Sequence, residues 1–224
     1  MKYCLLTELD ILTPSIKEQI NAVLTTESHL LTLTAEYNDT STSDLNHKYR
    51  FNTDDDPSEH ALYASYKEKI IAYFKDQQAM DFKIHRMHQE LEDEIFNQLP
   101  AKIKNMPMPP YIRLQTMTNG DYIFPHTDSA PMPTTLITSV GPNIESTWFW
   151  RQTKPHHIAI KTLPDMDKVE RVSCAKLSYG ETWLFNINEI HSVERPLGNR
   201  DSKRVCINFR WSNTTVKEVM QALL

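Results

Sequence analysis

Residues 122–128 read Tyr-Ile-Phe-Pro-His-Thr-Asp, an apolar, strand-like run that ends in an imidazole and a carboxylate. Successive side chains of a β-strand point to opposite faces, so residues two apart share a face. His126 and Asp128 are therefore predicted to project together from one face at the end of a strand. Both side chains are common metal ligands, and the pair forms part of a possible metal site.

A third ligand has to come from elsewhere in the chain. A single His-x-Asp pair is a weak signal in a chain with nine histidines and 29 acidic residues, and the alternative is a surface turn with an ordinary histidine. His191 follows the strand-like segment 182–186 and is the best candidate for the missing ligand. Two imidazoles and one carboxylate form the facial ligand set of non-heme Fe(II) sites, which leaves the remaining coordination positions open. We therefore predict His126, Asp128 and His191 as metal ligands.

The composition indicates a globular protein and limits the kinds of partner that it is expected to bind. The chain has 224 residues, of which 40% are hydrophobic and 24% charged, as in globular domains. The formal net charge is −5 and no long run of Lys and Arg occurs, so we expect neither nucleic acid nor a membrane surface as a partner. Only four glycines are present, and no glycine-rich phosphate-binding motif occurs.

Cysteine usage and the N-terminus predict a cytoplasmic protein. Cys4, Cys174 and Cys206 are odd in number and far apart in the sequence, as expected of free thiols in a reducing compartment. The first residues reach Glu8 too early for a signal peptide, and no apolar run has the length of a transmembrane helix.

Hydrophobic periodicity changes near residue 110. Before it, we predict a strand over Tyr3–Leu12, a helix that begins at Thr13 and Pro14, a strand over 29–37, and helices over about 59–78 and 81–99. After it, we predict short strands over 111–117, 122–126, 134–140, 146–151, 156–162, 171–177, 182–186, 192–195 and 203–211, followed by a short C-terminal helix. Short strands with turns at near-regular spacing are typical of a sandwich or barrel, a jelly roll among them.

Two other segments contain possible metal ligands, but a simpler interpretation is favoured for each. The polar segment 38–59 contains three consecutive aspartates, but it lacks the glycine and the closing glutamate of a calcium loop, so we interpret it as a solvated loop or a flap. His85 and His88 are three residues apart on a predicted helix, without the motif of a zinc protease, and are interpreted as helix-surface or helix-packing residues.

The last predicted strand has two different faces. Val205, Ile207, Phe209 and Trp211 make one face apolar, whereas Arg204, Cys206, Asn208 and Arg210 make the other polar. The polar face either meets solvent or lines a cavity. Because His191 ends the preceding segment and Arg204 begins this strand, the second arrangement brings an imidazole and a guanidinium to one mouth of a barrel.

Taken together, these motifs resemble the Fe(II)/2-oxoglutarate-dependent oxygenase superfamily, with the aspartyl/asparaginyl β-hydroxylase-like and proline hydroxylase-like branches as the nearest. The resemblance extends over about half the chain, residues 111–211. It is carried by Arg113-Leu114, Gly120, Ile123, His126, Asp128, the segment 180–186, His191-Ser192-Val193 and Arg204-Val205. It implies a double-stranded β-helix (jelly roll, cupin-like), mainly β with flanking helices. Residues 111–224 are then the core with its C-terminal helix, and residues 1–110 are a strand and helical layer packed on it.

The resemblance also implies cofactors and an activity. His126, Asp128 and His191 hold Fe(II), 2-oxoglutarate chelates the iron, and Arg204 binds the far carboxylate of that co-substrate. The implied enzyme is a dioxygenase that hydroxylates an amino acid or a peptidyl side chain and releases succinate and CO2. Arg200 is a rival for Arg204, because the intervening loop is longer than is usual in the superfamily. Cys206 stands where Ser or Thr is common, and would be a weaker donor to the co-substrate.

Other residues are assigned more loosely. Arg113 and Gln115 are expected to contact 2-oxoglutarate or substrate, with a structural salt bridge as the alternative. Arg210 is a candidate for a substrate carboxylate, Trp150 for the pocket wall or the core, and Asn186 for orienting His191. The alternative function is a non-redox, cupin-like protein that binds a divalent metal or a small anion. The sequence leaves the substrate and the oligomeric state open.

Overall fold

A computed structural model describes residues 2–37, 57–128, 134–141, 143–154 and 163–224. The strands are β1 (Cys4–Leu6), β2 (Thr32–Tyr37), β3 (Asp81–Arg86), β4 (Tyr111–Thr118), β5 (Tyr122–His126), β6 (Thr134–Ser139), β7 (Ser146–Gln152), β8 (Val169–Lys176), β9 (Thr182–Asn186), β10 (His191–Glu194) and β11 (Arg204–Trp211). The helices are α1 (Pro14–Thr25), α2 (Pro57–Tyr73), α3 (Gln89–Asn97), α4 (Ala101–Lys104) and α5 (Val216–Leu223).

Two antiparallel sheets form the framework. The major sheet has seven strands in the order β1-β9-β6-β11-β4-β3-β2, and the minor sheet has four in the order β5-β10-β7-β8. In β11, alternate residues separate cleanly: Val205, Ile207, Phe209 and Trp211 join a buried apolar cluster, while Arg204, Asn208 and Arg210 line a cavity between the sheets. The polar face of this strand therefore lines a cavity rather than meeting solvent.

Helices cover the outer faces of both sheets. The apolar sides of α1 and α3 pack on the major sheet through Ile16, Ile20, Leu91 and Ile95. On the other side of the molecule, α2 packs on the minor sheet, where its residues join the cluster of Tyr66, Ile70, Phe74, Tyr122, Phe124 and Trp150. Burying apolar side chains in these layers supplies the main driving force for folding, and the space between the sheets is left for the site.

The two antiparallel sheets confirm the predicted mainly β class with flanking helices and agree with a jelly-roll architecture. The segment before residue 110 contributes β1, β2 and β3 to the major sheet, while the domain division at that residue stays a prediction. No helix among the described ranges is long and apolar enough to cross a membrane.

The predicted helix over 81–99 is wrong in its first part. Residues 81–86 form β3, which pairs with β2 on one side and β4 on the other, and the helix begins only at Gln89. Phe82, Ile84 and Met87 fit a helical stripe, but over so few residues Phe82 and Ile84 also fit strand alternation, and ladder pairing to two neighbours favours the strand. His85 consequently lies on a strand and His88 occupies the N-cap position of the following helix, so the two do not share a helix face.

Two predicted strands are shorter than expected. Only Cys4–Leu6 of the segment 3–12 is extended and paired, and β2 begins at Thr32 after a 3-10 turn over Ser28–Leu30. The predicted strand over 156–162 lies outside the described residues, as does the predicted polar segment 38–59 except for its last three residues, which begin α2.

Gly120 lies where two backbone segments approach closely. A Cβ at this position would lie 2.4 Å from the carbonyl oxygen of Ala79 and 2.7 Å from Met80 Cα. We expect Gly120→Ala to lower the free energy of unfolding by about 1–3 kcal/mol, because backbone has to move to relieve the overlap. Gly141→Ala is the matched control, since its nearest contact would be an ordinary 3.6 Å. Urea denaturation of both variants tests this, and equal stabilities would contradict it.

Candidate active site

Strand pairing in the minor sheet brings two histidines together. His191, the first residue of β10, is paired in register with His126, the last residue of β5. Their ring centroids are 4.5 Å apart, and both side chains are buried. One antiparallel pair of strands therefore brings together two histidines that are far apart in the sequence.

Backbone carbonyls fix the orientation of both imidazoles. His126 Nδ1 donates to the carbonyl oxygen of Phe124 at 2.7 Å, and His191 Nδ1 donates to that of Glu189 at 3.0 Å. A neutral imidazole that donates through Nδ1 carries its lone pair on Nε2. With Nδ1 of each ring bound to a carbonyl oxygen, Nε2 is the nitrogen left for a metal ion, as in metal sites where the second ring nitrogen is hydrogen-bonded.

Asp128 completes the cluster. Its backbone N–H donates to the carbonyl oxygen of Ile187 at 2.9 Å, which holds it beside the turn that leads to His191. Its Oδ1 lies 3.3 Å from His126 Nε2, and its Oδ2 forms an ion pair with Arg210. Burial by itself raises the pKa of Asp128, but the hydrogen bond with His126 and the charges of Arg210 and His191 outweigh it, and together they hold that pKa well below its ordinary value. The carboxylate is therefore ionised.

The three side chains suit a divalent transition metal. One ligand atom from each of His126, Asp128 and His191 lies within 4.8 Å of the others. Of the residues that the structure describes, these form the one group of His, Cys, Asp and Glu side chains placed to share a metal ion. Two imidazoles and a carboxylate match the donor set of non-heme Fe(II) sites.

Arg204 lies in the same cavity, where none of the described acidic residues pairs with it. Its side chain is 2% exposed, and both terminal nitrogens lie 3.4 Å from Thr147 Oγ1, while Nε lies 3.4 Å from Cys206 Sγ. Among the described residues it forms no ion pair. A buried guanidinium that meets only a hydroxyl and a thiol is costly unless an anion binds to it, which makes this position a candidate anion site.

Arg200 differs in each of these respects. It is exposed in the turn before β11, pairs with Asp121 at 2.7 Å, and donates to the carbonyl oxygen of Asp76 at 3.0 Å. It does not line the cavity.

The cavity between the sheets has a volume of about 440 Å³, within the usual range for small-molecule sites. Its polar lining includes the three candidate ligands, Arg113, Gln115, Thr135, Thr147, Arg204, Asn208, Arg210 and Ser212. Its apolar lining includes Phe82, Ile84, Met117, Ile123, Ile137, Phe149, Phe185, Ile187 and Val193.

The loosely assigned residues fall into two groups. Arg113, Gln115 and Arg210 line the cavity, and Gln115 Oε1 accepts from Asn208 Nδ2 at 2.5 Å. Cys206, by contrast, is not part of the lining. It is buried in an apolar cluster, and its Sγ accepts from Nε of Arg204.

Trp150 and Asn186 lie away from the site. Trp150 is buried against α2 and donates through Nε1 to Ser192 Oγ, because Phe149 takes the inward position on β7. Asn186 donates to the carbonyl oxygen of Lys2, so the expectation that it orients His191 is not met and the backbone carbonyl of Glu189 takes that position. Thr147 was not singled out in the sequence, since a threonine on a strand carries no signal until its neighbour across the cavity is known.

Comparison with known proteins gives structural similarity only. No protein-family model and no curated protein matches the sequence. Among solved structures, the non-heme alpha-ketoglutarate-dependent epimerase SnoN from nogalamycin biosynthesis is 14% identical with a TM-score of 0.40, over 70% of this chain and 73% of that chain. YcfD from Escherichia coli is 10% identical with a TM-score of 0.44, over 98% and 52%. A prolyl-4-hydroxylase from Pseudomonas putida is 7% identical with a TM-score of 0.38, over 94% and 92%.

Proposed function

We propose that the protein is an Fe(II)- and 2-oxoglutarate-dependent dioxygenase that hydroxylates an amino acid or a peptidyl side chain. One observation carries this proposal: a His-Asp-His cluster with metal-ligand geometry shares a cavity with a buried arginine that has no acidic partner among the described residues. A metal site alone fits many proteins, but a metal site beside a separate carboxylate-binding position fits a metal-chelating dicarboxylate.

Each residue then has a definite task. His126, Asp128 and His191 would hold Fe(II), and Arg204, steadied by Thr147, would bind the far carboxylate of 2-oxoglutarate. When bound, iron and 2-oxoglutarate supply the O2-dependent oxidation of a C–H bond, with conversion of the co-substrate to succinate and CO2.

The surrounding protein contributes orientation and exclusion of water. Hydrogen bonds from both Nδ1 atoms fix the imidazoles before metal arrives, so little reorganisation accompanies binding. Phe149, Phe185, Ile187 and Val193 form an apolar wall beside the histidines. A dry wall strengthens the electrostatic contacts of Arg204 and Asp128 within the cavity.

The direct test is spectroscopic. Apoprotein mixed with Fe(II) and 2-oxoglutarate in the absence of oxygen should develop a weak visible charge-transfer band, and admission of oxygen should release succinate. A flat spectrum together with tight Zn(II) binding would contradict the dioxygenase and favour the non-redox, cupin-like alternative.

Arg204 offers a test of the co-substrate position. We expect Arg204→Met to weaken 2-oxoglutarate binding by about 10- to 100-fold, the equivalent of one charge-assisted contact worth about 1.5–3 kcal/mol. Fe(II) binding should change little, because Arg204 contacts none of the three ligands in the hydrogen bonds that it forms.

Arg200→Met is the matched control, since Arg200 lies outside the cavity. Titration of the charge-transfer band with 2-oxoglutarate measures both variants. If Arg200→Met weakened the co-substrate and Arg204→Met did not, the assignment of the anion position to Arg204 would be wrong.

A further inference from the structure

A second cationic region lines the cavity farther along the major sheet. In the β4–β11 register, Arg113 lies opposite Asn208, and Tyr111 lies opposite Arg210. Asn208 is four residues along β11 from Arg204, which corresponds to about 13 Å of strand. Arg113 and Arg210 are diagonal neighbours across the two strands, at a separation of about 7–8 Å between their backbones.

The two arginine positions are held apart by their own contacts. Arg204 is directed to Thr147 on the opposite sheet, whereas Arg113 donates through Nη1 to the carbonyl oxygen of Ile112 at 2.6 Å and lies 3.6 Å from Glu92 Oε1. A 2-oxoglutarate molecule that chelates the metal and reaches Arg204 therefore leaves Arg113 to a different ligand.

The pairing of Arg113 with Glu92 is loose. At 3.6 Å the contact is well beyond the 2.7–2.9 Å of a charge-assisted hydrogen bond. Burial raises the pKa of Glu92, although the nearby charge of Arg113 opposes that shift. Arg113 forms only one hydrogen bond among the contacts of the described residues, although its guanidinium has five N–H groups.

The charges in the cavity with Fe(II) and 2-oxoglutarate bound also favour an anionic ligand near Arg113. Fe(II) and Arg204 together balance Asp128 and the two carboxylates of 2-oxoglutarate. Arg113 and Arg210 then remain, with Glu92 as the nearest acid to the first of them. The Nε of Arg210 is buried and has no hydrogen-bond partner within the described part of the chain. Among the charged groups that the described residues contribute, one positive charge is left over, and an anionic group would neutralise it.

We propose that the substrate is a small organic carboxylate with an apolar body, and that Arg113 is the residue that binds its carboxylate, with Arg210 beside it. This inference rests on the proposed function. Ile84 and Ile137 line the cavity nearer this end, Ile84 opposite Gln115 on β4 and Ile137 opposite Asn208 on β11, and provide the surface for the apolar body. An amino acid with an aliphatic or aromatic side chain has this combination of groups.

The test uses protein loaded with Zn(II) and N-oxalylglycine, an unreactive pair that stands in for iron and 2-oxoglutarate. The probes are the L-amino acids, each compared with its carboxamide, screened by thermal shift and then measured by calorimetry. We expect one or more acids to bind at least about 10-fold more tightly than their amides, the scale of one contact between charged groups.

Two variants separate recognition from a structural role. Arg113→Gln should abolish the preference for acid over amide while leaving Zn(II) and N-oxalylglycine bound as before. Glu92→Gln should strengthen acid binding, because it removes the nearest competing carboxylate, and the amide oxygen can still accept from the Met87 N–H at 3.2 Å. Arg113→Lys should restore part of the preference, since it keeps the charge and loses the planar fork.

Acids and amides that bind equally well would overturn the proposal. So would variants of Arg113 and Glu92 that weaken binding alike, which is the result of a purely structural pair. Failure of the wild-type protein to bind Zn(II) and N-oxalylglycine is a different result, because it contradicts the dioxygenase function itself and this inference with it.

Discussion

His191→Ala is expected to abolish tight Fe(II) binding and, with it, all turnover of 2-oxoglutarate. His191 supplies one of three candidate ligands, so the variant leaves the metal with one imidazole and one carboxylate. The loss should exceed the roughly 10- to 100-fold that follows from removing a group that only orients a ligand. Calorimetric titration with Fe(II) under anaerobic conditions, together with a succinate assay, measures both effects.

His29→Ala is the matched control, because His29 is exposed on a 3-10 turn and lies outside the cavity. Urea denaturation checks that the His191 variant remains folded. A His191 variant that still bound Fe(II) as tightly as the His29 variant would show that the metal lies elsewhere.

Local alternation was sufficient to predict much of this site. The prediction that His126 and Asp128 lie together needed only the alternation of side chains at the end of one strand. The two faces of β11 followed from residues 204–211 alone. The position of His191 was a harder inference, because it depends on which strand pairs with β5, and no local pattern encodes that pairing. The structure supplies it through the register of β10.

The errors have a common physical origin. Residues 81–86 carry apolar side chains at spacings that fit either period, and the partners β2 and β4 determined the outcome. Trp150 faces α2 rather than the cavity after an irregularity in the β7–β8 register between Phe149 and Trp150. The contact that orients His191 comes from the backbone carbonyl of Glu189. Every residue has a backbone carbonyl, so the amino-acid sequence does not show which one makes this contact.

Removal of Glu145 is expected to have the largest effect on stability. Glu145 and Arg195 form an ion pair in which Oε1 lies 2.7 Å from Nη2, with side chains that are 1% and 0% exposed. Arg195 also donates through Nη1 to the carbonyl oxygens of Gly120 and Arg200 at 2.9 and 2.8 Å. The pair therefore joins the segment before β7, the turn before β5 and the loop that leads to Arg204.

Glu145→Ala should lower the free energy of unfolding by about 3–5 kcal/mol, because it leaves the guanidinium of Arg195 buried without a counter-charge. The exposed pair of Arg151 and Glu170, whose side chains are 56% and 46% exposed, supplies the control. Glu170→Ala should cost less than about 1 kcal/mol, since water screens that pair. Urea denaturation of both variants, analysed with a common m-value, compares their free energies of unfolding.

A double variant tells whether the cost comes from the unpaired charge. Glu145→Leu combined with Arg195→Leu removes both ions, so it should be more stable than Glu145→Ala alone. Its free energy of unfolding should still be lower than that of the wild type, because the carbonyl oxygens of Gly120 and Arg200 lose their hydrogen-bond donor. If Glu145→Ala lowered the free energy of unfolding as little as Glu170→Ala does, water would have to reach Arg195. That result would contradict the burial of this ion pair.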